Sequence, residues 1–227
     1  MSEFDSYAHD YESALDRGIA VSGENAQFFA ECRIQKLSEC LMKQGFSARN
    51  VLDFGCGTGN ATSYFFSWLN VQSVLGLELS SKSLEVARRE HTAKQAVFRL
   101  TEEHTPDGSL DLAFCNGVFH HIPLAERQNT IDYIAACLRV GGVFALWENN
   151  PYSPGARYVM SQIPFDRDAI MVWPGQARKL MRAAGFRVLR TDYTFIFPHF
   201  LSLLRPNEVV FQKLPLGAQY QVLAQKL

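Results

Sequence analysis

The sequence predicts an α/β domain in which helices cover both faces of one sheet, and three observations predict it. Residues 50–60, Asn50 followed by VLDFGCGTGN, read as a short buried strand, a glycine-rich turn and the start of a helical segment. A second apolar run, SVLGLEL at 73–79, carries Glu78 at its end, about twenty positions past the glycines. A third, LDLAFC at 110–115, follows the turn Pro106-Asp107-Gly108-Ser109. Apolar runs alternating with helical periods are the pattern of a doubly wound, largely parallel sheet.

The whole chain sets bounds. At 227 residues it suits one domain with a substantial core. A net charge of -1 supplies no broad cationic field, so nucleic acid is not an expected partner. No apolar run is long enough for a membrane span, and the opening MSEFDSYAHD has neither a basic patch nor an apolar signal core. The five cysteines, Cys32, Cys40, Cys56, Cys115 and Cys137, are scattered, which reads as free thiols in a reducing cytoplasm. No pair of them has metal-ligand spacing, and no metal cluster is apparent, so no metal is expected.

Taken in order, residues 1–22 are a polar lead-in and Glu24–Gln44 a helix stopped by Gly45; together 1–45 form an N-terminal helical cap. After the strand at 51–54, Ala61–Leu69 is the first core helix. Ser73–Leu79 is the second strand, and Ser80 or Ser81 caps a helix to Glu90. Ala96–Leu100 and Leu110–Cys115 are the third and fourth strands. Leu124–Val140 reads as a helix closed by Gly141-Gly142, and Val143–Trp147 as the fifth strand. Residues 149–172 read as an irregular loop. Gln176–Ala184 is a helix, and Phe186–Phe197 and Gln219–Gln225 are the last strands. Between them, 198–218 inserts an unusually apolar connection where a tight hairpin would suffice. Its apolar side chains must be covered by the 149–172 segment, by the monomer, by a second copy or by a lipid-like substrate.

The glycine turn carries the chemistry. Gly55, Gly57 and Gly59 fall as G-x-G-x-G, whereas a dinucleotide loop wants G-x-G-x-x-G. The acidic Asp53 beside the turn would repel a pyrophosphate and suits a cationic ligand. VLDFGCGTGN resembles motif I of the class I S-adenosylmethionine-dependent methyltransferases, of the small-molecule type (methyltransferase types 11 and 12), and PDGSLDLAFCNG resembles that family's motif at the fourth strand. The resemblance implies a Rossmann-like seven-stranded sheet of order 3-2-1-4-5-7-6 with strand 7 antiparallel. It implies S-adenosylmethionine as cofactor, with S-adenosylhomocysteine as product.

By that resemblance Asp53, Gly55, Cys56, Gly57 and Thr58 surround the cofactor, Glu78 accepts from both ribose hydroxyls, and Leu79 packs on the adenine. Thr101 and Glu102 occupy the adenine-contacting region, although the family's usual aspartate is replaced by Thr101. Asn116 and Gly117 fall where main-chain groups meet the cofactor, and Tyr11 is the early tyrosine that would fold over it. His120 and His121 follow on the rim of the cleft; either could take a proton from a substrate hydroxyl, and a structural role is the alternative. In the 149–172 segment, a substrate lid by family analogy, Arg157, Tyr158, Phe165, Asp166 and Arg167 are candidate acceptor contacts. The expected function is methyl transfer to a small molecule, with a hydroxyl oxygen of a metabolite, saccharide or lipid precursor ahead of carbon or amine. A monomer or a homodimer is expected. The rivals are a cofactor-binding regulatory module without catalysis and a dinucleotide oxidoreductase.

Overall fold

Strand β1 (Asn50–Phe54) is buried almost throughout because it lies at the centre of the sheet, with parallel neighbours on both sides. The computed structural model describes residues 11–227, and of Tyr11 and Glu12 only the backbone. The elements in order are α1 (Tyr11–Ile19), α2 (Ala26–Lys43), β1, α3 (Thr62–Leu69), β2 (Ser73–Glu78), α4 (Ser81–Glu90), β3 (Ala96–Leu100) and β4 (Leu110–Asn116). Then come α5 (Arg127–Cys137), β5 (Leu138–Asn149), α6 (Pro154–Gln162), α7 (Pro174–Ala183), β6 (Phe186–Thr194), α8 (Glu208–Phe211) and β7 (Gln219–Lys226). The sheet order is β3-β2-β1-β4-β5-β7-β6, with β7 antiparallel to both neighbours. This is the expected topology.

Alternation along the strands sorts the core into two layers. Leu52, Ala113, Cys115, Phe144 and Leu146 pack against Ile131 and Ile134 of α5 and Met181 of α7. Their neighbours Val51, Leu112, Phe114, Ala145 and Trp147 face the other way, onto Ile34 and Leu37 of α2 and Phe65 of α3. Each fully buried large side chain contributes about 1.5–3 kcal/mol. Ser80 caps α4 by accepting from the Ser83 N–H, as its sequence position suggested. Among the described residues no helix is long and apolar enough to cross a membrane.

Three expected segments differ. The helix expected to run to Val140 ends at Cys137, and Gly141-Gly142 lie inside β5. Pairing there jumps between Leu110 and Leu112, and a Cβ at Gly142 would stand 2.8 Å from the Arg139 carbonyl oxygen. The glycines serve that bulge. The 149–172 segment is largely helical: Ser153 accepts from the Ala156 N–H and Pro154 opens α6. β6 stops at Thr194 because Phe195 adopts φ 62° and turns the chain.

Glu208 of α8 holds that turn. Its buried carboxylate accepts from the N–H groups of Phe195, Ile196 and Phe197 at 3.3, 3.0 and 3.1 Å. Lys36 pairs with it at 3.6 Å. Glu208→Ala leaves these donors without an acceptor, and Tm should fall by roughly 5–10 °C, corresponding to about 2–3 kcal/mol. Glu208→Gln keeps one acceptor oxygen and should lose about half as much; equal melting of all three proteins would contradict this account. Among the described residues, much of the rest of the insertion is left uncovered. Phe200, Leu203 and Val210 are 80%, 93% and 73% exposed.

Candidate functional site

The turn after β1 is held open by its glycines. Gly55, Gly57 and Gly59 have φ values of 72°, 53° and 86°, the left-handed region. A Cβ at Gly55 would stand 2.3 Å from Val118 and one at Gly59 2.8 Å from His91, so packing forbids side chains there. At Gly57 a Cβ would meet nothing within 4 Å, so this side of the loop is open to a ligand. Glu78 reaches across from the tip of β2. Its Oε2 accepts from the Gly57 N–H at 3.0 Å, and its Oε1 from Leu79 and Ser80 N–H at 2.7 and 3.0 Å. Asp53 is buried beneath the loop, and its Oδ2 has no hydrogen-bond partner. Burial first, and then the Glu78 carboxylate, push Asp53 up to about 7 against the pull of Arg33. An open loop face flanked by two acids suits a cationic ligand.

Beside the loop, β4 ends at Asn116, whose side-chain oxygen is buried without a partner. Gly117 follows with φ 66° and donates its N–H to the Trp147 carbonyl at 3.0 Å. Both line a cavity of about 150 Å³ beyond the loop. Leu15 and Ile19 of α1 and Ala156, Val159 and Ile163 on and beyond α6 enclose it with apolar surface. The two helices approach closely, since a Cβ at Gly18 would lie 2.3 Å from Ile163. A larger recess of about 680 Å³ adjoins the cavity, sharing Phe29, Val159, Phe195 and Ala218, and runs to Phe200 and Leu216 of the insertion.

The short turn Phe119–His121 then places both histidines. His120 Nδ1 lies 2.6 Å from Glu148 Oε2, and Glu148 Oε1 accepts from the Phe119 N–H at 2.8 Å. Asp166 Oδ1 stands 3.4 Å from His120 Nε2 and 3.1 Å from His121 Nε2. Burial alone would lower the His120 imidazole, but the Glu148 and Asp166 carboxylates outweigh it and raise it to about 10. A proton held that firmly makes His120 an ion-pair partner at neutral pH, not a base. Burial opposes the shift at Asp166, but its hydrogen bonds to the histidines hold its carboxyl below the usual range.

The Methyltransferase domain family matches residues 52–146. The chain is 33% identical over 95 residues to a trans-aconitate 2-methyltransferase of Rhizobium rhizogenes, covering 42% of this chain and 36% of that protein. It is 31% identical over 151 residues to an uncharacterized methyltransferase of Bacillus cereus, covering 63% and 64%. Its fold matches magnesium protoporphyrin IX methyltransferase of Synechocystis, solved with bound SAH, at a TM-score of 0.67 and 18% identity over 99% of this chain and 96% of that one. Residues 52–146 carry the methyltransferase domain, and relatives and fold together support a class I S-adenosylmethionine-dependent methyltransferase. Its cofactor is S-adenosylmethionine. It spans only about a third to two thirds of the length of the curated relatives named here.

Most of the expected cofactor residues lie at the carboxyl ends of β1, β2 and β4. Cys56 and Thr58 are buried in the loop, and burial pushes the Cys56 thiol well up, which makes it a packing group. Leu79 is 67% exposed beside Glu78. Thr101 and Glu102 form a short turn after β3, with Glu102 on the surface. Tyr11 opens α1, but its side chain lies outside the described residues.

Of the expected acceptor contacts, Phe165 and Asp166 line the cavity. Arg157 and Tyr158 are exposed on α6, because its helical phase turns Ala156 and Val159 inward instead; Arg167 is exposed as well. The structure does not bring these three to the cavity. Arg33, Asn149 and Gln219 line it without having been expected there. Arg33 sits on α2 and donates to Gln219 Oε1 at 3.1 Å, a pairing across 186 positions that no local pattern could show. No metal ligand was expected; His120, His121 and Asp166 each offer an atom that could ligate an ion, all within 4.8 Å of one another.

Proposed function

We propose that this chain transfers the methyl group of S-adenosylmethionine to a hydroxyl oxygen of a small, partly apolar acceptor. The observation that carries the reading is the half-open cavity that starts at Asn116 and Gly117 and continues into the apolar recess at the insertion. S-adenosylmethionine, when bound, supplies a methyl group made electrophilic by its sulfonium. The residues of this chain have the task of holding a nucleophile in line with it and excluding water. Glu78 would accept from the ribose hydroxyls and Gly57 would let the ligand reach the main chain. Asn116 would orient polar groups at the reaction end, and His121 and Asp166 would receive the hydroxyl proton there. α6 and the turn after it would form a lid with α1, and the recess would take an acceptor's apolar portion, as in a lipid or saccharide–lipid precursor. Five free cysteines suit a cytoplasmic protein, working as a monomer or a homodimer.

A second reading has one specific support. Arg33 lines the cavity, and a related protein is by name a trans-aconitate methyltransferase, so a carboxylate oxygen could be the acceptor. The test is release of S-adenosylhomocysteine with long-chain hydroxylated compounds, sugars and polycarboxylates in parallel. Turnover of amphipathic alcohols, lost in Val159→Trp with unchanged S-adenosylhomocysteine affinity, is the expected result. Turnover confined to polycarboxylates and abolished by Arg33→Met would select the second reading. Binding of the cofactor with no turnover of any acceptor class would favour a regulatory module.

A further inference from the structure

We propose that His120 Nε2, His121 Nε2 and Asp166 Oδ1 form a site for one divalent transition-metal ion of the zinc or manganese class, with its remaining positions open to the cavity. The spacing of Asp166 from each imidazole suits such an ion. Two ligand atoms each ~2.1 Å from a common ion lie about 3.0 Å apart at a right angle and about 3.4 Å apart at the tetrahedral angle. Asp166 Oδ1 stands 3.4 Å from one imidazole nitrogen and 3.1 Å from the other. Two imidazoles and one carboxylate, with other positions free, are a donor set for first-row divalent ions rather than for calcium or magnesium.

A second observation points the same way. His120 Nε2 is buried, its side chain 2% exposed, and it makes no hydrogen bond of good geometry despite facing Asp166. At 3.4 Å this nitrogen and its ion-pair partner Asp166 leave room for an ion bound to both. The surroundings are built to hold it there. Glu148 grips the opposite nitrogen, Nδ1, at 2.6 Å, which is the carboxylate–histidine arrangement that orients a metal-binding imidazole. Glu148 is in turn fixed by the Phe119 N–H. The segment carrying Asp166 is tied to the histidine turn by the Ile170 N–H donating to the His120 carbonyl at 2.9 Å. Arg127, wholly buried, donates to the carbonyls of both Ile122 and Ile170. An ion here would take the place of the proton on His120 Nε2.

The position gives the ion a task, which rests on the methyl-transfer reading above. His120 and Asp166 line the cavity together with Asn116 and Gly117. An ion between them would offer its open position to the acceptor oxygen and favour its deprotonated form. With the ion bound, His121 and Asp166 serve as ligands, and their proton-accepting role given above belongs to the metal-free protein; the proton the oxygen loses then leaves to solvent.

The test needs neither acceptor nor cofactor, so it stands or falls apart from the acceptor class. Full-length protein stripped with chelator is titrated calorimetrically with Zn²⁺ and, separately, with Mn²⁺. One equivalent of Zn²⁺ should bind, and Asp166→Asn and His121→Gln should each weaken it at least tenfold. Co²⁺ substitution should show visible bands of nitrogen and oxygen ligation without a thiolate charge-transfer band, because the cysteines take no part. Uptake of neither ion, uptake unchanged in both variants, or a thiolate band would overturn the assignment. Should Asp166→Asn melt early, His121→Gln alone decides, since that side chain is 19% exposed and its loss opens no sealed cavity.

Discussion

Replacing Glu78 by alanine should weaken S-adenosylmethionine binding about a hundredfold. Two hydrogen bonds from ribose hydroxyls to a carboxylate contribute about 1.5–3 kcal/mol each when formed away from bulk water, and 1.4 kcal/mol is a factor of ten. The same carboxylate also arranges the site before any ligand arrives. Gly57, Leu79 and Ser80 all donate to it, so its removal frees the glycine turn at the point where a ligand comes closest. Glu78→Gln keeps one acceptor oxygen and should fall between the two. Calorimetric titration with S-adenosylhomocysteine checks this, with thermal melting as a control for folding. Unchanged affinity in Glu78→Ala would remove this residue from the cofactor site and leave the open face of Gly57 without a ribose partner.

Asp53→Asn should raise stability at neutral pH by up to about 4 kcal/mol while weakening cofactor binding. The Asp53 carboxyl is raised from 3.8 to about 7 in the fold. An acid with a raised folded pKa contributes stability below its unfolded value and loses that contribution as pH climbs to the folded one. Between pH 3.8 and about 7 the unfolded chain has released this proton and the folded chain has not, at about 1.4 kcal/mol per unit. Asparagine carries no such penalty, so the two proteins should converge toward acid pH and separate toward pH 7. Urea unfolding across that range tests the sign; a variant less stable than the parent at neutral pH would refute it. Binding should move the other way. A cationic ligand favours the ionised acid, so the parent's affinity for S-adenosylmethionine should rise as pH passes about 7, and Asp53→Asn should be flat. An acid retained at such expense to stability is explained by the positive charge it would face.

The sequence by itself determined the strands and, through its resemblance to the methyltransferase motifs, the order of the sheet and where the cofactor is expected. The strands rest on local physics. Glycines at 55, 57 and 59 require left-handed backbone, Asp53 and Glu78 close their strands, and apolar runs such as 110–115 can only be interior strands. Tertiary structure alone decided the acceptor end. Whether Arg157 or Val159 turns inward depends on the phase of a helix whose start, Ser153-Pro154, was read as loop. Gly141-Gly142 looked like a helix stop because a bulge against Leu110 has no sequence signature of its own. Asp166, 46 and 45 positions beyond the two histidines, meets them only because Arg127 and the Ile170 N–H draw its segment over the end of β4. Contacts of that separation are set by packing, which a linear pattern does not encode.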